Sequence, residues 1–215
     1  MSSSDLTATS YAILGQLALR DWTMYDLAQQ MQRNIHYFFP RAESQIYAEP
    51  KRLAALGLAF ARTEATGRRK RTVYGITAAG RQALADWLAT PLARPPLLEF
   101  EGLLRVFLAP FGTEHDLKAT LGAVRTDIAG LLALADRISD EYLDGRAPFQ
   151  DHVLIRSMLH DFLFRFGALV DDWAARSLAR AEAWPAQDRL ARLAAARAVY
   201  LSGRRAPRSG PDAIL

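Results

Sequence analysis

Apolar positions recur with a helical period along most of this chain, and the one stretch that departs from it is short and strongly charged. Tyr11, Ile13, Leu14, Leu17 and Ala18 mark a first helix, which Arg20-Asp21-Trp22 interrupts. Thr23 opens a second. Its hydroxyl can cap the free N–H groups of the first turn, and Asp26, three residues on, suits the positive helix end. Met24, Leu27, Ala28 and Met31 follow at i, i+3, i+4 and i+7. Pro40 biases Phe39 toward extended geometry, so His36 to Pro40 predicts a connection whose aromatics plug the space between helices. A third helix is predicted from Ala42 to Leu56, with Ile46, Leu53 and Leu56 as its buried stripe. Pro50 removes the hydrogen bond to Ile46 and crowds that carbonyl, which predicts a kink or a short helix. Gly57 suits the stop.

Leu58–Glu64 and Arg71–Ile76 read as two strands around a turn containing Gly67. Thr77 then caps a fourth helix through Leu88. From Thr90 to Pro96 the chain is proline-dense and cannot continue a helix. Beyond it an apolar helix is predicted over Leu97–Leu108, ended by Pro110. Thr113 with Asp116 then starts a long helix. Leu117, Leu121, Val124, Ile128, Leu131, Ala135, Ile138 and Tyr142 alternate steps of four and three, the seam of packed helices. After a turn at Gly145–Pro148, Ile155, Leu159, Phe162, Phe166, Leu169 and Trp173 repeat that spacing with larger side chains. Pro185 ends this element, and a shorter helix passes through Leu190, Leu193 and Tyr200. The expected fold is mainly α with a small β-hairpin wing: a winged helix-turn-helix over residues 1–90, a linker over 91–96, an α-helical domain over 97–201 and a disordered tail over 202–215.

Composition narrows the function classes. With no cysteine, a disulfide scaffold, a thiolate zinc site and cysteine nucleophile chemistry are excluded. No apolar run reaches the roughly 18 residues of a membrane span, and the first residues lack the basic start and apolar core of a signal peptide. A soluble cytoplasmic protein with no membrane partner is expected. The net charge of +4 becomes informative when divided by position. Residues 1–94 hold 12 Lys+Arg against 7 Asp+Glu, whereas residues 95–215 hold 15 against 16. The excess positive charge lies in the N-terminal part, as expected if only that part meets a polyanion.

Those charges fall where a winged helix-turn-helix needs them. On the third helix Ser44, Gln45, Tyr47, Ala48, Lys51 and Arg52 point away from the buried stripe. Gln45 can pair bidentately with adenine, Ser44 can donate or accept, and Ala48 leaves room for a thymine methyl. Tyr47, Lys51 and Arg52 suit phosphates, which set register rather than sequence. The run Arg68-Arg69-Lys70-Arg71 at the hairpin tip is either a solvated turn or a clamp for phosphates and the minor groove. Its place beyond a polar helix favours the clamp.

Several blocks of sequence resemble the PadR-like transcriptional regulators: Tyr11-Ala12-Ile13-Leu14-Gly15, Met24-Tyr25-Asp26-Leu27, Phe39-Pro40, Ser44-Gln45-Ile46-Tyr47-Ala48-Glu49, Arg52-Leu53, Leu56-Gly57-Leu58, and Tyr74 through Arg81. The resemblance covers residues 8–90 nearly continuously. It implies a homodimeric winged-helix repressor whose third helix and wing bind a palindromic double-stranded operator. It further implies a response to phenolic acids or other small aromatic or drug-like effectors.

The rest of the sequence adds little chemistry. Phe162, Phe166 and Trp173 are either plain core, within the chain or across a dimer, or the lining of an effector pocket between helices. His152 and His160 stand eight apart, a spacing that does not suit a helical metal pair, and no metal or other cofactor is expected. Asp171 and Asp172 face different ways on a helix, and neither a phosphate loop nor a nucleophile elbow is present, so no catalytic residue is assigned. Two rivals to a DNA-binding regulator stay open. One is a helical small-molecule carrier or enzyme using the aromatic stripe; the other is a winged-helix adaptor that binds no DNA.

Overall fold

The computed structural model describes residues 6–66, 69–92, 95–184 and 188–203 and, of Asn34, Thr66, Arg69 and Lys70, the backbone alone. The chain divides into two compact units between Pro96 and Leu97.

Three helices of the first unit start where a threonine hydroxyl accepts from a backbone N–H of the first turn. Helix α1 (Ala8–Leu19) opens with reciprocal Thr7 and Ser10 hydrogen bonds, and α2 (Met24–Asn34) with the Thr23 hydroxyl accepting from the Asp26 N–H at 3.1 Å. Tyr11, Ile13, Leu14 and Leu17 bury α1 on more than one side, which makes it the central helix of this unit. Between the two helices lies β1 (Trp22–Thr23), a strand the sequence pattern did not announce. It pairs antiparallel with β3 (Arg69–Ile76), which also pairs with β2 (Ala59–Thr66), giving the order β1-β3-β2. The buried Trp22 indole N–H fixes β1 by donating to the Gln16 carbonyl at 2.7 Å.

Helix α3 (Glu43–Ala55) runs its expected course with Pro50 inside it, so of the expected kink or short helix the shortening does not occur. The proline ring is fully buried, and that burial offsets the missing hydrogen bond. Gly57, at φ +73°, ends the helix in the left-handed conformation that only glycine adopts without strain. The Leu58 N–H then reaches the Leu53 carbonyl at 2.9 Å, and the Gly57 N–H the Ala54 carbonyl at 3.0 Å. Thr77 ties the next helix to this corner. Its hydroxyl donates to the Gly57 carbonyl at 2.7 Å and accepts from the Gly80 N–H at the start of α4 (Ala78–Ala89). The expected aromatic plug is also corrected. His36, Tyr37 and Phe38 are exposed, and Phe39 lies half-buried beneath the Arg41 guanidinium, 3.5 Å from its ring centroid. The hydrophobic space is already filled by α1, α2 and α3 side chains.

The second unit is a helical hairpin. Helix α5 (Glu101–Phe107) is shorter than the predicted Leu97–Leu108. Phe100 stays extended, its ring edge-on to Trp173 with centroids 6.0 Å apart, and Leu97 and Leu98 are exposed. A 3₁₀ turn at Ala109–Phe111 leads to α6 (Glu114–Leu143), capped by Thr113 and Asp116 as predicted. Helix α7 (Val153–Ala183) runs back antiparallel to it, since Arg125 pairs with Asp171 while Ser139 meets His160. Helix α8 (Arg189–Ser202) follows, with no buried residue.

The α6 stripe is buried at Leu117, Leu121, Val124 and Ala135, as its spacing implies. On α7 only part of the predicted seam turns inward within the chain, with Phe166 and Trp173 packed against the core. Gly167, Val170, Ala174 and Ala181 face inward, while Ile155, Phe162 and Leu169 are each more than half exposed. Small residues win the inward side because the α6 leucines fill the space between the axes: a Cβ on Gly167 would stand 2.9 Å from Leu132. Residues 204–215, on which most of the expected tail falls, lie outside the described residues.

Candidate nucleic-acid interface

Helix α3 has two opposed faces. Ile46, Pro50 and Leu53 fall at i, i+4 and i+7 and are buried. Ser44, Gln45, Tyr47, Ala48 and Lys51 lie on the other side and are exposed. Burial of the first set fixes the rotation of the helix and therefore which side chains point out. Arg41 fixes its approach: Nε donates to the Thr9 hydroxyl on α1 at 3.1 Å, and Nη1 to the Pro40 carbonyl at 2.6 Å.

Arg52, which the sequence reading grouped with the outward residues, is partly engaged elsewhere. Its Nη1 lies 2.8 Å from Glu49 Oε1, and that same carboxylate oxygen accepts from the fully buried Ser10 hydroxyl at 2.6 Å. Glu49 thus ties α3 to α1 through a buried donor, with Arg52 balancing its charge. This role was not visible in the sequence, because nothing in α1 marks Ser10 as facing Glu49.

Helix α2 contributes a surface that the sequence reading missed. A groove of about 690 Å³ runs beside α3, lined among others by Arg20, Tyr25, Gln29, Arg33, Glu43 and Tyr47. Tyr25 is 63% exposed, and its hydroxyl receives a hydrogen bond from Gln29 Nε2 at 2.6 Å. The available signal was the polar spacing of Tyr25, Gln29 and Arg33, four residues apart on the side opposite Leu27, Ala28 and Met31.

The hairpin differs from its predicted form. Pairing extends from Ala59↔Ile76 to Thr66↔Arg69, so the backbone of Arg69 and Lys70 joins Arg71 in strand β3 and does not belong to a turn. Arg68 lies outside the described residues, as do the side chains of Arg69 and Lys70. Opposite charges across the ladder carry the strand further than the turn signal suggested: Glu64 stands opposite Arg71, with Nη2 to Oε2 at 3.4 Å. Arg62, absent from the predicted set, bridges Asp21 Oδ2 at 2.8 Å and Glu64 Oε1 at 2.9 Å. Gly75 lets the base of the hairpin close, since a Cβ there would fall 2.3 Å from both Asp21 Oδ1 and Phe60 Cζ.

Of the three aromatic candidates of the C-terminal unit, Phe162 and Phe166 stack with centroids 6.4 Å apart and Trp173 lies edge-on to Phe100, while Phe166 and Trp173 both pack against the core. His160 meets Ser139 at 3.0 Å, and Asp171 and Asp172 are paired with Arg125 and Arg176. Among the described residues no group of three or more His, Asp or Glu side chains could hold a metal ion, and no helix is long and apolar enough to cross a membrane.

Residues 13–86 match the model of the transcriptional regulator PadR-like family. The negative transcriptional regulator PadR of Bacillus subtilis (strain 168) is 32% identical over 98 residues, covering 45% of this chain and 54% of that protein. The chain therefore spans about half the length of this curated relative. The solved structure of Bacillus subtilis PadR in complex with operator DNA has a TM-score of 0.68 at 22% identity, covering 81% of this chain and 99% of that one. The same protein in complex with p-coumaric acid gives 0.63 at 22% identity, covering 82% and 99%. At that identity the two structures speak for the fold, and the matched relatives are transcriptional regulators, not enzymes. Over residues 13–86 this chain is similar to the PadR-like family of transcriptional regulators, and its fold is that of the solved PadR structures.

Proposed function

We propose that this chain is a cytoplasmic, homodimeric, ligand-responsive repressor that reads a palindromic duplex operator with α3 and grips its backbone with the β2–β3 wing. The observation that carries the reading is the exposed face of α3, where Ser44, Gln45, Tyr47, Ala48 and Lys51 stand together beside a hairpin whose sequence bears Arg68, Arg69, Lys70 and Arg71. Gln45 and Ser44 have the donors and acceptors to read base edges in the major groove. Lys51, Tyr47 and the wing cations supply sequence-independent hold on phosphates, and the rim of α2 with Tyr25 and Arg20 adds to it. Arg52 serves mainly to anchor α3 through Glu49. The operator complex of Bacillus subtilis PadR, whose fold this chain shares, supports the reading.

Two-fold symmetry is supported by the outer side of α7. Leu154, Ile155, Met158, Phe162 and Leu169 are each more than 60% exposed, more apolar surface than a lone helical hairpin leaves to water. A second copy of the chain would cover it and set the spacing of two recognition helices. Phe162 and Phe166 then fall at that interface, where a small aromatic effector can bias one spacing over another. The p-coumaric acid complex of Bacillus subtilis PadR supports a ligand of that kind. Selection of the purified chain against random duplexes is the test. The recovered sequence should be a palindrome with half-sites about one helical turn apart. Recovery of no motif would end the operator reading.

A further inference from the structure

The wing carries its own competitor for phosphate. Asp21, Arg62, Glu64 and Arg71 alternate in sign and form one connected ladder: Arg62 Nη2 lies 2.8 Å from Asp21 and 2.9 Å from Glu64, and Arg71 Nη2 lies 3.4 Å from the other Glu64 oxygen. Register puts Glu64 directly opposite Arg71, so the two side chains share a face of the hairpin, and Arg62, two residues from Glu64, shares it too. The four charges cancel. All four side chains are at least one-third exposed, so the pairs are weak enough for another anion to displace.

We infer that Glu64 is a positioning residue that restrains the wing arginines and lowers the affinity of the chain for duplex in general. This rests on the DNA-binding reading above. Off DNA, Glu64 holds Arg62 and Arg71 in one geometry. On DNA, a phosphate recruits Arg71 only by displacing a carboxylate whose own charge then faces the polyanion. Each such exchange returns less than a free arginine would, because the Arg71–Glu64 pair must be broken and the freed carboxylate then repels the polyanion. A duplex that engages only the wing is therefore held poorly. One that also satisfies Gln45 and its neighbours on α3 is retained, and the gap between operator and bulk DNA widens.

The test is fluorescence anisotropy with the full chain and its E64Q variant. The probes are the operator recovered by selection and a scrambled duplex of the same composition, each across a range of salt. E64Q keeps the size of the side chain and removes its charge. It should bind the scrambled duplex roughly fivefold more tightly at low salt, the effect of one screened unit charge. Its salt slope should steepen by about 0.9 for each phosphate newly neutralised, and the ratio of operator to scrambled affinity should fall. Adding R71A to E64Q should abolish the gain, which a merely structural role for Glu64 does not predict. If E64Q melts early, Glu64→Thr, a good strand former, carries the same test. Absence of salt-dependent binding by the parent chain would defeat the underlying reading. A parent that binds, with a folded Glu64 variant that binds no more tightly or with unchanged slope, overturns this inference alone.

Discussion

Gln45 and Lys51 share the exposed side of α3, yet their chemistry assigns them opposite jobs. An amide reads the edge of a base, whereas an ammonium is a compact point charge drawn to any phosphate. Gln45→Ala should relax preference at one position in each half-site, at a cost of about 1–3 kcal/mol against the selected operator. Lys51→Ala should weaken all sequences alike; competition binding with single-base operator variants separates the two patterns. Glu49 belongs to the same stretch and is expected to act on folding. Its carboxylate is the partner of the buried Ser10 hydroxyl, so Glu49→Ala should cost about 1–3 kcal/mol in urea denaturation. A variant as stable as the parent would show that water replaces the lost contact.

Helix ends were the most legible elements because their signals are local. Thr23, Thr77 and Thr113 each accept from the backbone N–H three residues on, as their place before apolar runs implied. Non-local facts were hidden. The strand at Trp22–Thr23 needs Val73 and Tyr74 as partners, and the inward side of α7 depends on how closely α6 approaches, which apolar period alone does not encode. The extent of the wing was hidden for the same reason: Arg69 and Lys70 look like a turn until Thr66 and Ala65 are seen across the ladder. At the start of α6, the Thr113 hydroxyl and then its backbone N–H hold the Asp116 carboxyl below the usual carboxylate range. A carboxyl lowered on folding contributes stability above its unfolded value, near 3.9, and loses it as pH falls through the folded value. Asp116→Asn should therefore melt earlier than the parent at neutral pH, with the gap closing below roughly pH 4. A gap of constant size in circular dichroism melts would place the effect elsewhere.

Across the whole molecule the excess positive charge lies in residues 1–94, whereas Leu154, Ile155, Met158, Phe162 and Leu169 expose an apolar face on α7. That division suits a DNA-reading unit whose spacing is set by a separate self-associating one. Sedimentation should find a dimer at micromolar concentration, and Phe162→Asp should shift it toward monomer while leaving the first unit folded. A parent chain that sediments as a monomer would remove the basis for a palindromic site. The proposed function requires this chain to hold duplex DNA through phosphates and to select one sequence by the outward face of α3. Titration of the full chain into the selected operator and a scrambled duplex, between about 50 and 200 mM salt, tests it most directly. Log affinity should fall linearly with log salt for both duplexes, with the operator bound at least about a thousandfold more tightly throughout. Equal affinity for the two, or binding indifferent to salt, would contradict it.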